Sequence, residues 1–323
     1  MSLRLRVTDI EIHTPQIRGF RLEPAEGGTL PGWTAGAHIR LTLPLAAGPA
    51  ERAYSLITTD PAADTTQSAT HYRIAVRRED AGRGGSAYLH TAVAAGDVLE
   101  AQPPRNDFAL VESGPITFLA GGIGITPLLA MAAAMRRAGR AFRFHYSGRE
   151  AAQLALVPAL QALAGDDLAL HADDDAATRL DIAALVVAEA DGRPLYVCGP
   201  QGLLDAVLAA TRAAGWAADR VHFELFTEAA ARTGDQPFTL VLAQSGRELA
   251  VAAGQTPLDA MLAAGLDPLF DCRRGECGVC ACAVIEGEVD HRDYCLSDAE
   301  KAAGKTMQIC VSRARGPRLV IDA

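Results

Sequence analysis

The chain has 323 residues, 49% hydrophobic and 21% charged, a globular composition that excludes wholesale disorder and fibrous repeats. Its 30 Lys and Arg stand against 39 Asp and Glu, a formal net charge of −9, which argues against a nucleic-acid surface or a basic patch for lipid. A single core seldom grows much beyond about 250 residues, so two or three domains are expected.

The first residues, Ser2 to Arg6, alternate polar and apolar as a strand does and lack the apolar centre of a signal peptide, so a cytoplasmic protein is expected. From Arg4 to Phe108 short alternating runs, such as residues 39–43 and 72–76, are separated by Gly, Pro and Asp, the pattern of an antiparallel barrel or sandwich. After Gly114 the pattern changes to apolar strands (116–120, 142–146, 168–171, 195–198), each followed by an Ala- and Leu-rich helix. This alternation implies a doubly wound parallel sheet. The longest apolar stretch, 116–135, carries Gly121, Gly122, Gly124 and Pro127, which a membrane helix would rarely hold together, so no membrane span is expected. Residues 227–235 have no clear period and read as a linker. Strand-like 238–242 and 248–251 and a short helix at 258–264 then lead into a cysteine-rich loop. The division expected is 1–108, 109–226, linker 227–235, and 236–323.

Seven cysteines in a cytoplasmic chain are poor disulfide candidates, and six of them lie beyond residue 270. Cys272, Cys277 and Cys280 have the spacing Cys-x4-Cys-x2-Cys, with Cys310 farther on in strand-like 308–312, the plant-type ligand spacing of a [2Fe–2S] cluster. Gly275 and Gly278 sit where backbone amides must approach the sulfurs. Zinc is the alternative, but zinc loops usually carry paired Cys-x2-Cys knuckles and here there is one. Spacing leaves Cys282 and Cys295 open as ligands; small buried side chains are the plainer reading for both. Arg273 and Arg274, inside the loop, either dock an acidic partner or solvate the loop.

Two glycine clusters suggest phosphate sites. Gly121, Gly122 and Gly124 end an apolar strand and open a helix, where backbone amides can hold a pyrophosphate, although Pro127 replaces the third glycine of the dinucleotide fingerprint. Cys198, Gly199 and Pro200 end a later strand. Gly82, Arg83, Gly84, Gly85 and Ser86 precede a helix at 87–93 that Ser86 is expected to cap, with Arg52 and Arg83 adding charge. The eight histidines are scattered without metal-ligand pairing and no Ser–His–Asp signature is present, so hydrolysis is poorly supported.

In this order the motifs resemble the ferredoxin–NADP reductase superfamily and, with the C-terminal cysteine loop, the phthalate dioxygenase reductase family over the whole chain. The resemblance implies a multidomain protein: an antiparallel flavin-binding β-barrel, an α/β doubly wound parallel-sheet nicotinamide domain, and a C-terminal β-grasp (α+β) plant-type ferredoxin domain. It implies that Arg52 contacts flavin phosphate, Tyr54 stacks on the ring and Ser55 donates near N5. It further implies that the turn ending in Ser86 holds the FMN phosphate, that Asn106 belongs to the segment closing the flavin site, and that Thr126, Cys198 and Phe226 flank the nicotinamide. Cys272, Cys277, Cys280 and Cys310 would ligate the cluster. FMN is expected rather than FAD. NADH is expected rather than NADPH, because Asp173, Asp174 and Asp175 follow a strand of the second domain and would repel a 2′-phosphate, while Arg149 argues the other way. The function implied is transfer of hydride from NADH to flavin and of single electrons to a Rieske-type oxygenase, with a reductase serving a haem or di-iron monooxygenase as the alternative. A pure electron carrier with decayed nucleotide motifs is the reading from another class.

Overall fold

The computed structural model describes residues 2–46, 48–226 and 231–323, which form two compact units, 1–224 and 225–323. The first holds two large sheets and one two-stranded sheet. Its N-terminal half contains β1 (Leu3–Thr14), β2 (Ile17–Pro24), β3 (Leu30–Pro31), β4 (His38–Leu45), β5 (Gly48–Ser55), β6 (Ser68–Ala69), β7 (Tyr72–Arg77), helix α1 (Gly85–Thr91) and β8 (Val98–Ala101). Six strands pair antiparallel in the order β5-β4-β8-β1-β2-β7, and the edge strands β5 and β7 approach each other, giving the curl of a barrel. The period of two is plain in β4, where Ile39, Leu41 and Leu43 turn into the core between less buried neighbours. Two register shifts in β1 add local twist.

The second half contains β9 (Ile116–Gly121), α2 (Ile125–Arg137), β10 (Phe142–Gly148), α3 (Val157–Ala164), β11 (Leu168–Ala172), α4 (Ile182–Ala188), β12 (Leu195–Cys198), α5 (Gln201–Ala213) and β13 (Val221–Glu224). The sheet is parallel throughout, in the order β11-β10-β9-β12-β13. Every residue of β9 and β12 is buried, as expected for central strands covered on both faces. The strand order reverses between β9 and β12, so the crevice at their carboxyl ends is the topological switch point.

One apolar core runs across both halves: Ile17, Ile57, Ala75 and Phe108 pack with Phe118, Met131 and Tyr196. The ring of Phe108 meets Tyr196 at 5.4 Å, and a Cβ on Gly36 (φ +93°) would stand 2.0 Å from the Phe108 carbonyl oxygen. Position 108, where the sequence pattern changes, is therefore buried in a shared core, and both halves belong to one compact unit.

The second unit contains β14 (Phe238–Leu242), β15 (Arg247–Val251), α6 (Pro257–Ala263), β16 (Ala281–Glu286), β17 (Val289–Asp290), α7 (Asp298–Ala303), β18 (Thr306–Gln308), β19 (Arg313–Ala314) and β20 (Arg318–Ile321). Its mixed sheet runs β15-β14-β20-β16-β18 with β14 and β20 parallel, and Leu258 and Met261 of α6 lie in its core. A capping box of Thr256 and Asp259, with Pro257 in the first turn, starts α6 immediately before the cysteine loop.

Of the segment read as a linker, residues 227–230 lie outside the described residues. Its last residue, Asp235, is fixed: Arg292 grips both carboxylate oxygens at 2.5 and 3.1 Å, and Arg313 lies 3.8 Å away. All three side chains are buried.

Candidate functional site

The Arg-x-Tyr-Ser run lies at the end of β5. Alternation puts Arg52 and Tyr54 on one face, both half-buried, while Ser55 is buried. Burial pushes the Tyr54 phenol above its ordinary pKa, with Arg52 pulling weakly the other way. Arg52 reaches the glycine turn thirty residues on: its Nη2 donates to the Arg83 carbonyl at 2.9 Å, and its chain lies where a Cβ on Gly85 would meet it at 2.7 Å. Gly84 takes φ +80°, open to glycine without penalty. The fold thus brings together two motifs that the sequence separates.

One expectation here needs correction. Ser86 does not cap α1: Gly84 is the N-cap residue, α1 starts at Gly85, and the Ser86 hydroxyl accepts from the Glu79 backbone N–H at 3.0 Å, pinning the turn to the strand before it. Both amide protons of Asn106 are engaged within the protein, with Thr34 Oγ1 at 2.7 Å and the Ala35 carbonyl at 2.9 Å, while its Oδ1 accepts from the Phe108 N–H. Asn106 is a brace of the closing segment and has no proton left to donate to a ligand.

At the switch point Gly121, Gly122 and Gly124 of the turn after β9 meet Cys198, Gly199 and Pro200 after β12. A Cβ on Gly124 would stand 2.0 Å from the Cys198 carbonyl oxygen, and one on Gly199 3.0 Å from the Gly121 Cα. Gly122 adopts φ +54°. The two turns open the thirteen-residue helices α2 and α5, so the positive ends of two helix dipoles lie at the switch point, the arrangement that binds a pyrophosphate. Thr126 is buried with its hydroxyl donating to the Ile123 carbonyl at 3.0 Å, and Cys198 is also buried. The turn also abuts β7 of the first sheet, which places the nucleotide crevice beside the barrel within one unit. Phe226, in the second unit, is partly exposed.

The cysteine loop is wound by left-handed residues: Arg273 at φ 56°, Gly275 at 77° and Gly278 at 73°. Such turns aim successive N–H groups inward, toward negative charge. The Arg274 N–H donates to Cys272 Sγ at 3.3 Å. Cys280 and Cys310 are buried, Cys272 is half-buried and Cys277 is exposed. A hydrogen bond from the Cys310 thiol holds Cys272 down at about 4, and Cys310 is pushed up correspondingly by its bonds to Cys272 and Cys280. Cys282 and Cys295 are instead raised, to about 11 and about 12, chiefly by burial. Cys272, Cys280 and Cys310 therefore form one hydrogen-bonded thiol set that Cys277 joins through Cys272, with a loop shaped to donate to sulfur, which fits an iron–sulfur cluster. No group of three or more His, Cys, Asp or Glu among the described residues closes around a single ion. Cys310 sits in a turn after β18 and not in a strand.

Arg273 and Arg274 are each paired with a carboxylate of their own unit. Arg273 pairs with Asp259 at 2.5 Å and lies over the Phe270 ring, and Arg274 pairs with Glu276 at 3.0 Å, both of the latter side chains largely buried. Burial lifts Glu276 to about 7, and its carboxylate accepts from the Leu225 N–H at 2.5 Å. The supports that sequence reasoning missed lie far from the loop in the chain. Gln308 takes the Cys280 thiol at 3.3 Å, and Asp293, fully buried, packs its backbone where a Cβ on Gly275 would need to be. No local spacing announces either.

Residues 240–315 match the Fer2 family, a 2Fe-2S iron-sulfur cluster binding domain. Over 320 residues the chain is 43% identical to phenoxybenzoate dioxygenase subunit beta of Ectopseudomonas oleovorans, covering 98% of this chain and 96% of the relative. It is 42% identical to the heme-dependent oxidative N-demethylase beta subunit of Ectopseudomonas mendocina, covering 99% and 98%. Among solved structures it resembles a phthalate dioxygenase reductase described as a modular structure for electron transfer from pyridine nucleotides to [2Fe–2S], at 34% identity and TM-score 0.71, covering all of this chain and 98% of the other.

Proposed function

Because the chain belongs to the phthalate dioxygenase reductase family, we propose that it is the reductase component of an oxygenase system, oxidising NADH and delivering single electrons to a separate acceptor protein. Bound FMN and a [2Fe–2S] cluster supply the conversion from a two-electron hydride donor to one-electron delivery. The chain's own residues bind, orient and shield. Arg52 and the turn at Gly82, Arg83, Gly84, Gly85 and Ser86 hold the flavin phosphate, Tyr54 lies along the ring, and Ser55 sits beside it. The paired turns at Gly121, Gly122 and Gly124 and at Cys198, Gly199 and Pro200 hold the dinucleotide, with Thr126 shaping the crevice floor. Phe226 is the aromatic that the family pattern assigns to the nicotinamide step. Cys272, Cys277, Cys280 and Cys310 carry the cluster. No general acid or base is required of the protein for hydride transfer, so its contribution is position.

The observation that carries this reading is the linked thiol set wound by Arg273, Gly275 and Gly278, in a chain whose other unit holds a parallel-sheet switch point lined by glycine. Visible and EPR spectra of the anaerobic protein before and after NADH test it. Flavin and sulfur-to-iron bands that both bleach are expected; a protein without iron–sulfur bands after reconstitution overturns it.

Flavin released by heat should run as FMN, and FAD would reverse that assignment. The exposed acids Asp173, Asp174 and Asp175 follow β11 at the carboxyl edge of the sheet, where their charge repels a 2′-phosphate, so NADH should give the higher kcat/KM. A cytoplasmic location is supported by seven cysteines of which none is in a disulfide, as in a reducing compartment, and no helix among the described residues is long and apolar enough to cross a membrane. A haem acceptor is the second reading, favoured by the N-demethylase relative. Reduction rates of a purified Rieske component and of a haem component separate the two.

A further inference from the structure

Two of the eight histidines that the sequence scatters without pattern meet in the fold. His145 of β10 and His171 of β11 stack with centroids 5.3 Å apart and planes 18° apart, and His145 Nδ1 lies 3.0 Å from His171 Nε2. His171 Nδ1 lies 2.9 Å from the Thr178 carbonyl oxygen. A carbonyl only accepts, so His171 carries its proton on Nδ1, and in the neutral pair its Nε2 accepts from His145 Nδ1–H. Burial, with lesser repulsion from His171, holds His145 down at about 4, so it is neutral at physiological pH. The result is a directional relay from β10 through β11 to Thr178.

Thr178 lies in the segment that follows β11 and carries Asp173, Asp174 and Asp175. The near arm of this segment is tied to the end of β10: the Asp173 N–H donates to the Gly148 carbonyl at 3.0 Å and the Asp174 N–H to the Arg149 carbonyl at 3.1 Å. The far arm folds on itself: the Asp175 carboxylate accepts from the Ala177 N–H at 2.9 Å, its carbonyl from Thr178 and Arg179, and Arg179 Nη2 reaches the Asp173 carbonyl at 2.9 Å. The bond from His171 ties that far arm to the sheet, so displacement of His171 frees the turn that presents the three acids.

We propose that His145 and His171 are positioning residues that set the acidic rim, and through it the preference for NADH over its 2′-phosphorylated counterpart. This rests on the reading of Asp173, Asp174 and Asp175 as the rim facing the ribose. The relay acts on binding and leaves the hydride step alone, so its loss appears in KM rather than kcat.

The test uses the full-length holoprotein, with kcat and KM for NADH and NADPH measured against ferricyanide. The amide nitrogen of Asn occupies the place of imidazole Nδ1, so His171→Asn keeps the bond to Thr178, whereas His171→Leu removes it. H171L should cut the NADH:NADPH ratio of kcat/KM about tenfold, through KM and with kcat held, and H171N should restore it to within about threefold. A triple variant, Asp173→Asn, Asp174→Asn and Asp175→Asn, is measured beside them. If the triple variant lowers the ratio and H171L does not, or if H171L slows both nucleotides equally, the relay has no part in selection. If the triple variant leaves the ratio unchanged, the rim reading fails and this inference falls with it.

Discussion

Gly124→Ala isolates the close approach at the switch point. Gly124 has φ −61° and ψ −8°, helical values that alanine adopts freely, so the substitution carries no conformational penalty. All its cost is steric. The new Cβ would lie 2.0 Å from the Cys198 carbonyl oxygen, 2.3 Å from its carbon and 2.7 Å from the Gly199 nitrogen, and 3.4 Å is where ordinary contact begins, so the two turns must separate by 3.4 − 2.0 = 1.4 Å. Both follow fully buried central strands, and such overpacking costs about 1–3 kcal/mol. At roughly 2–4 °C per kcal/mol for a unit of this size, Tm should fall by about 2–12 °C. A displacement of about 1 Å in a site that works by position costs about a hundredfold, or about 2.7 kcal/mol of barrier. We therefore expect kcat/KM for NADH with ferricyanide to drop about a hundredfold while flavin and iron contents stay at wild-type levels. Gly122→Ala is the control, since its Cβ would meet nothing within 4 Å and only the left-handed φ of +54° opposes it, at about 1–2 kcal/mol. A G124A enzyme within about threefold of wild type, at an unchanged Tm, would refute the steric argument.

Serine at Cys272, Cys277, Cys280 or Cys310 should abolish the cluster's visible and EPR signals, whereas Cys282→Ala and Cys295→Ala should retain them; iron and sulfide analysis reads both. Asp235→Asn leaves Arg292 and Arg313 buried without their shared carboxylate and should destabilise the second unit by about 3–5 kcal/mol in urea unfolding. Arg292 holds Asp235 down at about 2, below its ordinary 3.8, so its contribution is fully present above pH 3.8 and is lost as pH falls toward 2; the pH dependence of unfolding should show that loss in wild type and not in D235N. Arg274→Ala strips the pair from buried Glu276 and should lower cluster retention on heating, followed by loss of visible absorbance, rather than alter the salt dependence of electron delivery.

What could be read from the sequence was what is encoded locally. The Cys-x4-Cys-x2-Cys run is a single loop, so its spacing carries its chemistry, and the alternation in residues 39–43 or the run at 116–120, apolar but for Thr117, names the strand and its burial together. The capping of α1 was misread because Ser86 has the residue type of a cap, while only the fold reveals that its hydroxyl turns back to Glu79. The bracing role of Asn106 is likewise invisible to spacing, since its donors are claimed by Thr34 and Ala35, some seventy residues upstream. Arg273 and Arg274 looked like free charge because Asp259 lies a helix away and the burial of Glu276 leaves no trace in the sequence. The histidine pair was dismissed because metal logic looks for His spaced along one element, and these two face each other only through the parallel register of β10 and β11.

The segment at 227–235 shows the same divide in its most consequential form. Composition correctly finds no period there, yet composition has no way to register that Arg292 and Arg313, nearly sixty and eighty residues onward, close on Asp235, or that Glu276 of the cluster loop takes the Leu225 N–H. Both flanks of the segment are thus fastened to the unit that carries the cysteines, one of them to the cysteine loop itself. Both ties lie within that unit, so D235N should lower retention of the cluster's visible absorbance on heating while leaving flavin content unchanged, and equal loss of both would remove the clamp from the account.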